Sequence, residues 1–180
     1  PIWVEATSDL VGVHVDLPVP LGKPADDVAI VNYVHTFHSD GDKVDIRVEE
    51  DVIAALKILD GELIGGRVHF GTTPLGVVTF DRFDVSGSLD YVKYEDWEKL
   101  FESIQGASTV SIESELANQL RAIEIDITDL SAFGVELENV RTYITRKDVA
   151  WSVGLRNEML SGIIDVPDLD SEPLKISLDY

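Results

Sequence analysis

Apolar and polar residues alternate with a period of two in segment after segment of this chain. Val44, Ile46 and Val48 are separated by Asp45 and Arg47, and Ile123, Ile125 and Ile127 by Glu124 and Asp126. Leu174 to Tyr180 repeats the pattern, with Leu174, Ile176, Leu178 and Tyr180 on one side. Such alternation gives each segment one buried and one wet face, which predicts half-buried β-strands. Ile2 to Ala6, Leu10 to Val15, Val28 to Phe37, Glu62 to Phe70, Leu75 to Val85, Val135 to Thr145 and Ala150 to Leu155 are rich in Val, Ile, Thr and aromatics. They bring the expected total to about ten short strands.

The breaks between these segments have local causes. Ser39-Asp40-Gly41-Asp42 separates two strand-like runs, and Asp-Gly supplies the positive φ of a tight hairpin. Between Leu75 and Val85 the apolar parity moves from Val78 and Phe80 to Phe83 and Val85, which predicts a β-bulge near Asp81 and Arg82. One helix is expected from Tyr94 onward, because Trp97, Leu100, Phe101 and Ile104 recur at helical spacing and Gly106 ends the run. Asp51 to Leu59 fits either a short helix or a buried strand. Many short strands with one or two inserted helices predict an all-β fold, a single jelly-roll sandwich or barrel over residues 1–180.

Charge changes the picture next. The chain carries 34 Asp and Glu against 14 Lys and Arg, a net charge of -20, spread over its whole length. Hydrophobic residues still make up 44%, so the chain has a core to bury and is not a disordered polyelectrolyte. Self-repulsion on this scale is relieved by salt, which screens over about 3 Å at 1 M. A carboxylate-coated surface with little lysine therefore suggests a halophilic setting. The same charge opposes nucleic-acid binding, which needs a local cation at each phosphate. No apolar stretch is long enough for a transmembrane helix and no basic leader precedes an apolar run, so a soluble chain is expected.

Little in the sequence points to catalysis. With no cysteine there is no disulfide, thiol nucleophile or Cys-bound metal. His35 and His38 form the closest histidine pair, but residues three apart on a strand face opposite ways. Asp40, Asp42 and Asp45 lack the spacing of a calcium loop. Gly61, Gly65 and Gly66 match neither a P-loop nor a dinucleotide fingerprint, and their expected role is a bend or bulge. Ser86-Gly87-Ser88 is no nucleophile elbow. No enzyme, cofactor, metal or small-molecule substrate is therefore expected. The one basic spot, Arg141, Arg146 and Lys147 with Tyr143, is either a solvated strand face or a contact for an acidic neighbour. Together with Trp3, Trp151 and Tyr180 it supplies the candidate interface residues, aromatics being enriched at interface cores.

Pro1 at a processed-looking start, about 180 residues, roughly ten strands and the halophilic charge balance resemble the smaller major capsid protein of tailless, membrane-containing icosahedral viruses of halophilic archaea. That resemblance implies an upright single jelly roll in the virion shell. It would assemble with copies of itself and a second capsid protein, close to an internal membrane without entering it. Two other readings stand beside it: a halophilic β-sandwich module that binds protein or glycan, and a cupin-like metalloenzyme with metal at His35 or His69.

Overall fold

A computed structural model describes residues 2–99, 120–147, 150–167 and 175–179. The strands are β1 (Ile2–Ser8), β2 (Val31–Phe37), β3 (Asp42–Val48), β4 (Val52–Leu59), β5 (Glu62–Phe70) and β6 (Phe83–Lys93). They continue with β7 (Leu120–Ala132), β8 (Val135–Lys147), β9 (Ala150–Arg156), β10 (Ser161–Pro167) and β11 (Lys175–Asp179). A helical turn, α1, covers 94–99, where the helix was expected to begin; the rest of that expected helix lies outside the described residues. Asp51 to Leu59 resolves as strand, since Ala54 and Ala55 are both buried, one on each face.

The fold is all-β, as the alternation requires. All eleven strands lie in one sheet, ordered β1 to β11 as they occur in the chain. A jelly roll interleaves strands distant in sequence, so the connectivity differs from the expected one. Period-two alternation reports which face of a strand is dry and carries no information about which strand lies beside it. Most neighbours are antiparallel, but β5, β6 and β7 run parallel to one another.

Two expected strands dissolve for physical reasons. Leu10 to Val15 forms only the isolated bridge Val15–Lys23, within a connection that turns back on itself through Leu21 N to Pro18 O and Gly12 N to Ala25 O. Pro18, Pro20 and Pro24 have no amide to donate to a ladder. Leu75 to Arg82 belongs to the crossover between the parallel strands β5 and β6, and the strand begins at Phe83. The expected bulge near Asp81 and Arg82 does not form, because these residues precede the strand; the register shift beside Phe83 and Asp84 instead leaves Arg121 of β7 as the extra residue.

That crossover runs back along β5 over its polar side. Thr73 Oγ1 meets His69 Nε2 at 2.7 Å, Val77 O accepts from Arg67 at 3.3 Å, and Gly66 N donates to Arg82 O at 2.8 Å. A Cβ on Gly65 would overlap the Phe80 carbonyl, which explains that glycine. Below the crossover Asp84 is buried and accepts from Arg82 Nε at 2.9 Å and Arg67 at 3.3 Å.

Two further irregularities shape the sheet. Lys57 pairs with Gly65 and Ile58 with Leu63, so Ile64 is an extra residue beside the glycines, the bulge expected of Gly61 to Gly66. In β6, β7 and β8 the ladders skip Asp90, Thr128 and Asn139 at one level, with Asn139 at φ 51°. The buried parity changes there in all three strands together, from Leu89 to Val92, Ile127 to Leu130 and Val140 to Leu137. The core sits here: Ile125, Ile127, Leu130 and Val140 are buried, with Phe70, Val85, Leu89, Ile123 and Leu155 packed around them.

Candidate functional site

One face of the sheet is apolar from β1 to β10. The cross-strand register carries a single row through Ala6, Tyr33, Ile46 and Ala54, then Val68, Val85, Ile123 and Ile144, and on to Val153 and Ile164. The register continues to Ile176 of β11. The next row over faces the other way and reads Glu5, Val34, Asp45, Ala55, Arg67, Asp84, Ala122, Thr145, Ser152 and Asp165. With strands spaced about 4.8 Å apart, the ten from β1 to β10 make an apolar strip about 43 Å long.

An ordinary sheet buries such a face under a second layer. Here the crossover from β5 to β6 lies on the polar face, and most members of the apolar row are only half-buried. Toward β1 the apolar residues are open, Ile2 being 75% and Val4 51% exposed. Large unpaired apolar surface of this kind marks a binding site more often than a core.

Toward β2 and β3 the polar groups on the apolar face are few and tied together. Tyr33 Oη lies 3.2 Å from His35 Nδ1, and His35 Nε2 lies 3.0 Å from Asp42 Oδ2, with Phe37 stacked on the imidazole at 4.2 Å. His38 follows the end of β2 and its amide donates to the other Asp42 oxygen, so the two histidines do not converge. Asp40 pairs with Lys57 at 3.1 Å, and the lysine holds its carboxyl below the ordinary value. Among the described residues no three His, Asp or Glu side chains are grouped as metal ligands.

The expected interface residues do not form one patch. Arg141 and Tyr143 stand on the polar face, while Arg146 occupies the opposite parity, its guanidinium 5.2 Å above the Trp151 ring. Strand alternation thus splits the basic spot. Arg141 is bonded to both oxygens of Asp126, at 2.6 and 3.1 Å, and this carboxylate and the Tyr143 hydroxyl raise its pKa. It helps line a recess of about 600 Å³ of mixed polar and apolar character with Ser88, Asn139, Val140 and Arg156. Trp3 is 59% exposed on the edge strand β1. Lys147 ends β8 opposite Ala150, and Tyr180 lies outside the described residues. The feature missed was the open face itself, because alternation shows that a face is apolar and not whether anything covers it.

His69 yields a pH prediction. It is buried on the polar face, bonded to Ser86 Oγ at 3.0 Å and to Thr73, and burial, then the nearby Arg67 charge, lowers its pKa. The unfolded chain therefore takes up this proton first. The contribution of His69 to stability is complete above about pH 6.5 and declines as pH falls from there toward its lowered native value. Urea unfolding at pH 7.5 and 5 should show the loss, and a His69→Gln chain should show a smaller one.

These features define a class: a single-sheet protein with one continuous apolar face, left open among the described residues, and a charged, partly covered reverse. The family described as "YhdP protein" matches residues 3–180, and the chain belongs to it. Neither a curated protein nor a solved structure matches. The family match overturns the resemblance to a halophilic viral capsid protein, which rested on length, strand count and charge, properties that unrelated β-proteins share. The capsid role and its capsid partners stood on that resemblance alone and have no remaining support. No helix among the described residues is long and apolar enough to cross a membrane.

Proposed function

We propose that this chain binds lipid acyl chains along the open apolar face of its sheet, a binding role without chemistry. The observation that carries the reading is the unbroken row from Ala6 to Ile164, aliphatic at nearly every strand and half-buried along most of its length. Protein interfaces are centred on aromatic and arginine anchors. This row has Tyr33 as its aromatic residue and no arginine, the Arg146–Trp151 pair lying at one end of the neighbouring row of the same face, and an aliphatic strip needs no hydrogen bonds from its occupant. An alkyl chain meets those conditions, and burying one gains about 0.8 kcal/mol per methylene.

The test is direct. Protein purified in a mild detergent and extracted with organic solvent should yield acyl lipid by mass spectrometry. Val68→Asp combined with Val153→Asp places two charges on the strip at half-buried positions and should reduce the extracted lipid at least about fivefold, since a charge facing alkyl chains is costly. Thr145→Asp with Ser152→Asp, on the polar face, should leave it unchanged. A wild-type protein free of lipid, or equal lipid in both double variants, would refute the proposal.

A further inference from the structure

The β7–β8 hairpin is closed by two residues, Phe133 and Gly134, between the paired Ala132 and Val135. Both have positive φ, 53° and 77°, the conformation of a type I′ turn. The β4–β5 hairpin uses the same turn with Asp60 and Gly61, at φ 54° and 86°, the residue types that adopt it readily. At the second turn a phenylalanine occupies the left-handed position, which costs a non-glycine residue about 1–2 kcal/mol. Its side chain does not recover that energy by burial, being 76% exposed.

The surroundings hold the ring in place. Glu95 of α1 accepts the Phe133 amide at 2.8 Å, and the Tyr94 ring lies 4.8 Å from the Phe133 ring. Val135, next to the turn, is 54% exposed. The segments that carry the knob are acidic: α1 bears Glu95, which holds the Phe133 amide, with Asp96 and Glu98, and Glu136 follows the turn on β8. Lys93 and Lys99 are nearby, Lys99 paired with Asp96 at 3.4 Å, so the setting remains net acidic.

We infer that Phe133, backed by Tyr94, is a docking knob for a protein partner whose surface offers an apolar pocket ringed by lysine or arginine. Strain in an exposed aromatic residue marks a functional position when local structure fixes it, and buried aromatic anchors dominate binding at interfaces. The acidic ring selects the sign of the partner. It disfavours a second copy of this chain, at net charge -20, and an anionic lipid surface.

The experiment places the photo-reactive residue benzoylphenylalanine at position 135 of the full chain in its own cells. Irradiation should give a discrete protein adduct, mapped to an apolar residue flanked by at least two Lys or Arg on the partner. Phe133→Asn relieves the left-handed strain while keeping the turn. It should raise the melting temperature while reducing the adduct at least tenfold, which separates lost docking from misfolding. Asp96→Lys should also weaken the adduct severalfold. No adduct, an adduct with lipid or a second copy alone, or one indifferent to Phe133→Asn would overturn the inference.

Discussion

A Gly87→Val chain is expected to lose about 4 kcal/mol of folding stability or to fail to fold. Gly87 lies at φ 128° in the middle of β6, paired with Phe70 on one side and Ile125 on the other. A Cβ there would overlap the Phe70 carbonyl, which is backbone and cannot turn aside. The Phe70 side chain itself packs against the cluster of Ile125, Ile127, Leu130 and Val140. Valine would separate β5 from β6 at the parallel pairing. Gly76→Ala is the control: its φ is 71° but a Cβ meets open space, so it should cost only the left-handed strain, about 1–2 kcal/mol. Urea unfolding of the three chains decides; equal midpoints for wild type and Gly87→Val would show that the β5–β6 pairing is wrong.

Ile125→Asp carries the second large effect, about 4 kcal/mol, because it sets an unpaired carboxylate among packed apolar side chains. Ile125 is 6% exposed and belongs to the buried cluster. Val4→Asp changes a residue of the same face that is 51% exposed, and should stay within about 0.5 kcal/mol. The contrast separates the packed centre of the apolar face from its open end. Equal costs at the two positions would mean that the face is covered throughout.

Local alternation made most of this sheet legible. β3, β7 and β8 follow their apolar parity, and the Asp-Gly hairpin at 40–41 joins β2 and β3 with Gly41 at φ 111°. β10 went unread because Ser161, Gly162 and Pro167 leave only Ile163, Ile164 and Val166 as strand-forming residues, too few to show a period. β6 runs on to Lys93 although Ser86, Gly87 and Ser88 weaken its propensity, since pairing with β7 outweighs local preference. The strand order and the parallel pairs are non-local, and residue periodicity does not encode them. Openness is non-local as well: the same Ile-x-Ile pattern serves a sealed core and an exposed strip.

The shared break at Asp90, Thr128 and Asn139 has a consequence for how this chain can change. A single deletion in β7 near Thr128 would shift half of that strand onto the wrong face, while its two neighbours kept theirs. Only matched changes in all three segments would preserve the apolar strip. Sequence drift here is therefore constrained to substitutions, and changes in length are confined to the connections outside the sheet. The three strands behave as one inherited block, whose alignment is settled by where the kink falls.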